Sequence, residues 1–335
     1  MKDRNRIRKI ACVGSGLIGH SWATLFITKG FNVCLCDKKE ELLAKALKRI
    51  KLNISFLAER GLIEEEAVKS RLKEVETTTN VTEAVSDVDY VQESVSESYK
   101  VKKPVFKEMD AATSEDVILA SSSSGLLITE IQKVTRKPGR CIIAHPLNPP
   151  HLIPLVELVP GESTSPETIQ RTYNFMRKIG KIPVILKKEV QGYVVNRLAA
   201  ALWREAINLV DKEIVSVEDI DKVMWAGLGI RWALMGPFLT YHLGGGQGGI
   251  MYFIEHIGPS FSSCWKTMET WTSIPQEAAR KVIEGVNQLE IVQTKSVKEI
   301  TRWRDSKLAK LLELLFMSQK LQSSDSRSIE DSHSP

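Results

Sequence analysis

The 335-residue sequence predicts an α/β fold: a largely parallel sheet covered by helices, followed by an all-α C-terminal region. Three observations carry that prediction. A strand, a glycine turn, a helix and a second strand follow one another at the N-terminus. Strand and helix signals then alternate as far as Ile182–Leu186, and strand signals stop from Tyr193 onward.

The first unit is the most specific. The apolar run Ile10-Ala11-Cys12-Val13 enters Gly14-Ser15-Gly16-Leu17-Ile18-Gly19. Gly14 allows the tight turn, Gly16 lets a pyrophosphate approach the backbone, and Gly19 lets the helix lie close to the sheet. The helix N-terminus turns free N–H groups and a positive dipole end toward the phosphates. Leu17, Trp22, Ala23, Phe26 and Ile27 recur at helical spacing, Gly30 closes the helix, and Phe31–Cys36 reads as a strand ending at Asp37. This is the order of a Rossmann-like dinucleotide site. The Asp37 carboxylate suits ribose hydroxyls and repels a 2′-phosphate, which favours NAD over NADP. Lys38 and Lys39 could reach a phosphate, but they read more simply as solvated residues opening the next helix.

Helical patterns follow at Glu40–Arg60, with Leu42, Leu43, Ala46, Leu47, Ile50 and Ile54 as one apolar stripe, and at Glu64–Lys73. Strand Tyr90–Glu93, helix Val101–Ala112, strand Val117–Ser121, helix Leu127–Val134 and strand Cys141–Ala144 continue the alternation. Leu155–Val159 and Ile182–Leu186 read as strands around a helix with Ser165 as N-cap and Pro166 at its first position. A domain boundary is expected near Lys188–Gln191, giving a nucleotide-binding domain over 1–189 and a helical domain over 190–317. Leu198, Leu202, Leu209 and Val210 mark a long amphipathic helix, and Ser216 with Asp219 opens another in capping-box fashion. The polar, Ser-rich segment 318–335 is expected to be disordered.

Composition narrows the classes. Apolar residues make up 43% and charged residues 26%, and the net charge of +5 is dispersed, as in ordinary soluble globular proteins. The short basic run Lys2, Arg4, Arg6, Arg8, Lys9 reads as a solvated leader, so no nucleic-acid partner is expected. No apolar stretch approaches a membrane span. The five cysteines form no CxxC pair and fall mostly in strands, as buried thiols of a reducing, cytoplasmic compartment do. The six histidines show no ligand spacing, so no metal is expected.

Oxidising an alcohol with a nicotinamide needs a base near the hydroxyl and groups that hold its oxygen. His145 stands at a strand end before Pro146-Leu147-Asn148-Pro149-Pro150, and Glu157 follows in the next strand. If those strands are adjacent, the carboxylate can fix the imidazole tautomer and support its protonated form. On spacing alone, a purely structural histidine remains open.

Six motifs add to this: Gly14-Ser-Gly-Leu-Ile-Gly19, Gln92-Glu-Ser-Val-Ser-Glu97 with Lys102, Ala120-Ser-Ser-Ser-Ser-Gly125, Ala144-His-Pro-Leu-Asn-Pro149, Pro154-Leu-Val-Glu-Leu158 and Gly192-Tyr-Val-Val-Asn-Arg197. With them the chain resembles the L-3-hydroxyacyl-CoA dehydrogenase family from Arg8 to about Trp271. The resemblance implies a Rossmann-like NAD-binding domain followed by a helical domain that dimerises. It also implies that His145 is the catalytic base and Glu157 its partner, and that Ser124 and Asn196 hold the substrate oxygen. Asn148 would line the nicotinamide pocket, and Glu97 and Lys102 would contact the cofactor.

The segment Trp203–Trp271 holds five of the seven tryptophans. Within the family it is similar to the L-carnitine dehydrogenase branch, which implies a small trimethylammonium hydroxy acid as substrate. L-gulonate and 3-hydroxyacyl-CoA activities are the alternatives, and a structural or NAD-sensing protein without turnover is the non-catalytic one. Aromatic faces attract a cation that has no N–H to donate. Trp232, Phe238 and Tyr241 are the candidates for such a cage, and Arg231 for a fork on the carboxylate. Aromatic residues at helical spacing also suit a core or a dimer interface, and that reading stays open.

Overall fold

The computed structural model describes residues 7–317; the tail 318–335 and the basic Lys2, Arg4 and Arg6 lie outside the described residues. The chain divides into two compact units, Met1–Arg197 and Leu198–Pro335.

One eight-stranded sheet builds the first unit. Its strands are β1 (Lys9–Val13), β2 (Asn32–Cys36), β3 (Glu76–Thr78), β4 (Tyr90–Glu93), β5 (Ile118–Ser121), β6 (Cys141–Pro146), β7 (Leu155–Pro160) and β8 (Ile182–Ile185). They run in the order β3-β2-β1-β4-β5-β6-β7-β8. All neighbours are parallel except β6 and β7. The helices between them are α1 (Leu17–Thr28), α2 (Glu40–Ala58), α3 (Glu65–Leu72), α4 (Val81–Val85), α5 (Tyr99–Ala112), α6 (Ile128–Gln132) and α7 (Pro166–Lys178). Alternation along the strands feeds two cores. Ile10, Cys12, Leu35, Tyr90 and Ile142 join Trp22, Phe26, Ile50 and Phe175 on one face, while Ala11, Val13, Cys34, Val91 and Ile143 join Phe106, Met109 and Ile131 on the other. Four of the five cysteines are buried in strands, and burial pushes the thiols of Cys34 and Cys36 up to about 11 and about 12.

The expected strands and helices are present with small shifts at their ends. The sequence reading places neither β3 nor α4. β3 is three polar residues at a sheet edge, too short for periodicity to register. Leu17, expected on the buried face of α1, is 57% exposed, because it is the first helical residue beside the open turn.

α8 (Val195–Asp211) begins in the first unit and ends in the second. The second unit continues with α9 (Val217–Val223), α10 (Gly229–Leu234), α11 (Pro237–Gly244), α12 (Gly249–Tyr252), α13 (Gly258–Trp265), α14 (Gln276–Gln288), α15 (Glu290–Thr294) and α16 (Val297–Leu312). The expected capping box at Ser216 forms only in part. The Ser216 hydroxyl accepts from the Asp219 N–H but donates to the Asp219 carboxylate, whose side chain is one methylene too short to return to the cap backbone. Ser296 and Glu299 make the complete box at the start of α16.

Candidate active site

The strand order reverses between β1 and β4, so their C-terminal ends diverge and open a crevice. Gly14 lies there with φ +97°, and a Cβ on it would stand 2.6 Å from the Ser94 carbonyl carbon. A Cβ on Gly19 would fall 1.7 Å from the Gly14 oxygen, so the turn and α1 touch backbone to backbone. Gly16 differs: a Cβ there meets nothing within 4 Å. Two glycines therefore close the turn and the third faces open space, as a diphosphate cradle requires. α1 opens at Gly16 with no side chain capping its first N–H groups. Asp37 stands at the end of β2, where its Oδ2 accepts from the Ser15 N–H and Oγ, both at 2.7 Å, and its Oδ1 from the Lys38 N–H at 2.8 Å. The turn thus orients the carboxylate expected to meet the ribose.

The antiparallel step at β6–β7 sets His145 directly opposite Glu157. His145 Nδ1 lies 2.8 Å from Glu157 Oε2, and both residues are buried. Glu157 Oε1 accepts from the N–H groups of Val194 and Val195, at 2.9 and 3.0 Å, where α8 begins. Burial by itself would raise this carboxyl. The His145 hydrogen bond and the two N–H donors outweigh it and hold Glu157 below its ordinary value, ionised. An ionised acceptor fixes the proton on Nδ1 and leaves Nε2 as the basic nitrogen. Among the described residues no hydrogen bond engages Nε2. His145 lines a cavity of about 190 Å³ together with Ile18, Val95, Ser122, Ser124 and Pro146.

Glu97 organises the serine turn beyond β5. Its Oε1 accepts from the Ser123 hydroxyl at 2.6 Å and from the N–H groups of Ser124 and Gly125 at 2.8 and 3.1 Å. Burial opposes ionisation, but Ser123 and the Lys102 ammonium hold Glu97 below its ordinary value. Asn196 Nδ2 donates to the Ser124 carbonyl at 2.7 Å, so the two residues expected to hold the substrate oxygen are adjacent. Lys102 is 1% exposed; it lies 2.8 Å from Glu93 and 3.4 Å from Glu97, and donates to the Val95 carbonyl at 3.2 Å. It reaches the cavity wall as a fully engaged cation. Asn148 is exposed on the segment after β6 and does not line that cavity.

Two family models cover nearly the whole chain: 3-hydroxyacyl-CoA dehydrogenase, NAD binding domain, over residues 9–190, and 3-hydroxyacyl-CoA dehydrogenase, C-terminal domain, over residues 192–303. The chain belongs to the 3-hydroxyacyl-CoA dehydrogenase family. It is 37% identical to the L-carnitine dehydrogenase of Bacillus cereus, over 93% of this chain and 94% of that one. It is 38% identical to rabbit (Oryctolagus cuniculus) lambda-crystallin, over 91% and 95%. Among solved structures, an NAD+-dependent 5-formyl-3-hydroxy-2-methylpyridine 4-carboxylic acid 5-dehydrogenase superposes with a TM-score of 0.76 at 27% identity, covering 92% of this chain and 99% of that one. The (S)-3-hydroxybutyryl-CoA dehydrogenase of Ralstonia eutropha gives 0.63 at 28%, covering 77% and 89%.

NAD is the cofactor of this 3-hydroxyacyl-CoA dehydrogenase fold, and when bound it supplies the hydride acceptor. The glycine turn, the uncapped α1 N-terminus and Asp37 fit it. The remaining candidates lie in the helical unit: Arg231 and Trp232 on α10, and Phe238 and Tyr241 on α11. Tyr241 stacks on Phe253 at 4.9 Å and meets Phe261 edge-on at 5.4 Å. Phe238 is 82% exposed. Among the described residues no ring contact joins Trp232, Phe238 and Tyr241 to one another. Sequence reasoning gave no role to Glu93, Ser123, Tyr193 or Lys181. Glu93, Ser123 and Tyr193 stand inside the quoted motifs, and the available signal is an acid ending the apolar strand Tyr90-Val91 and a tyrosine beside Val194 and Val195.

Proposed function

We propose that this chain is an NAD-dependent dehydrogenase that oxidises the 3-hydroxyl of L-carnitine to the 3-oxo acid, 3-dehydrocarnitine. The observation that carries the reading is the buried His145–Glu157 pair at the wall of a cavity beside the glycine cradle. His145 Nε2 takes the hydroxyl proton, and Glu157, with a charge already fixed by two backbone donors, stabilises the imidazolium that results. Asn196 spends one N–H on the Ser124 carbonyl and keeps its second for the substrate oxygen. The Ser124 hydroxyl donates to Glu97 over a long 3.4 Å, and its one O–H can turn from that weak bond to the substrate oxygen.

Carnitine is favoured over other 3-hydroxy acids by the relatives named L-carnitine dehydrogenase and by the aromatic content of the helical unit, where Arg231, Trp232, Phe238 and Tyr241 are the proposed binding groups. The same unit supports a homodimer. Leu198, Trp225, Leu234, Phe238, Val297 and Leu314 are each more than half exposed, more apolar surface than a monomer ordinarily leaves to water. Buried unpaired thiols support a cytoplasmic setting. No helix of the described residues is long and apolar enough to cross a membrane.

The test is NADH appearance with L-carnitine, and its loss in His145→Ala with NAD binding retained. A wild type silent toward carnitine but active with L-gulonate or 3-hydroxybutyryl-CoA overturns the substrate assignment. NAD binding without turnover of any of these favours the non-catalytic reading, to which the likeness to lambda-crystallin lends weight.

A further inference from the structure

Tyr193 has φ +52° and is completely buried. The left-handed region is disfavoured for a bulky aromatic residue, and such a conformation persists only where its surroundings over-determine it. Here they do. Gly192, at φ +77°, prepares the bend, and the Tyr193 N–H donates to the Val190 carbonyl at 3.0 Å. The next two N–H groups run straight to the Glu157 carboxylate.

The bend brings two ends of one side chain to two parts of the site. The Tyr193 ring packs against the His145 imidazole with centroids 5.4 Å apart and planes inclined at 61°. Its hydroxyl donates to the Leu126 carbonyl at 2.6 Å. Leu126 closes the serine turn, since its own N–H donates to the Ser123 hydroxyl, which in turn donates to Glu97. A ring that only filled the core would need neither the strained backbone nor a hydroxyl aimed at that turn.

We propose that Tyr193 is a positioning residue for the oxidation, holding the imidazole of His145 with its ring and the Ser124-bearing turn with its hydroxyl. This rests on the reading of His145 as the base. One rigid side chain then fixes the base relative to the group that binds the substrate oxygen. Alignment of that kind governs the chemical step and leaves dinucleotide binding untouched.

Tyr193→Phe keeps the ring and removes the hydroxyl, and Tyr193→Leu removes both. The measurements are the NAD dissociation constant, kcat and KM, and the primary deuterium isotope effect, using whichever 3-hydroxy acid the wild type oxidises. For Tyr193→Phe we expect unchanged NAD affinity, a kcat lowered about 2- to 10-fold from one lost hydrogen bond, and a larger isotope effect. Tyr193→Leu lowers kcat further. A folded Tyr193→Phe enzyme with the kcat and isotope effect of the wild type overturns the proposal, and so does a loss confined to melting temperature. If the wild type oxidises nothing, the reading of the base has failed by itself. The imidazole Nδ1–H resonance then decides: shifted or broadened in Tyr193→Phe, which keeps the ring beside His145, supports positioning, and unchanged overturns it.

Discussion

Glu157→Gln is the most demanding perturbation of the site, because three donors converge on that carboxylate. His145 Nδ1 addresses Oε2, and the Val194 and Val195 N–H groups address Oε1. A glutamine amide offers one accepting oxygen and an NH₂ that only donates. If the oxygen faces α8, the NH₂ faces His145 and forces the tautomer with the proton on Nε2, which cannot accept another. If the oxygen faces His145, two backbone N–H groups lose their acceptor, costing about 1–3 kcal/mol each. Loss of general-base catalysis lowers kcat by about 10²–10⁴-fold, or about 2.7–5.4 kcal/mol of barrier. Initial rates of NADH formation at saturating NAD measure this, with NAD binding followed in parallel. A folded Glu157→Gln enzyme whose kcat falls by less than about tenfold refutes the reasoning. There is a second readout in acid. The folded pKa of Glu157 is held below 4.5, so its contribution to stability is present above that value and is lost as pH falls through the lower one. The variant lacks that acid limb.

Three further outcomes follow. Gly16→Ala adds a methyl group to open space and is expected to keep wild-type stability while weakening NAD binding, whereas Gly19→Ala drives a Cβ into the Gly14 carbonyl and loses stability as well; equal melting temperatures would contradict the geometry. Lys102→Met strands the buried Glu93 carboxylate and costs about 3–5 kcal/mol in denaturant unfolding, and adding Glu93→Gln recovers much of it. Burial lowers Lys181, which donates to the Pro150 and Ile153 carbonyls, from 10.5 to about 7. Between those values the unfolded chain holds the extra proton, so stability rises with pH across the window, and Lys181→Met flattens that rise in melting curves.

The sheet, the glycine turn and the pairing of His145 with Glu157 were legible because each depends on local pattern. Apolar alternation marks strands, three glycines at set intervals mark the turn, and two strands joined by a short segment are natural neighbours. What stayed hidden depends on distant partners. Nothing local reveals that Lys102 lies buried between Glu93 and Glu97, since a lysine in a helix reads as solvated. The left-handed backbone of Tyr193 is invisible for the same reason, because a glycine, not a tyrosine, is the usual signature of that conformation. Exposure of Leu198 and Leu202, expected on the apolar face of a helix, could not be read from spacing, which assigns a face but not what covers it.

The reversal of direction at β7 also locks the register between the two strands. Side chains along a ladder alternate sides, so sliding one strand by a single step would send Glu157 away from His145 altogether. The core packing of Val156 and Leu158 forbids that slip. The contact between His145 and Glu157 is therefore held by the ladder itself and not by the segment between Pro146 and Leu155, where Asn148 sits, whose own Pro150 and Ile153 carbonyls are engaged with Lys181.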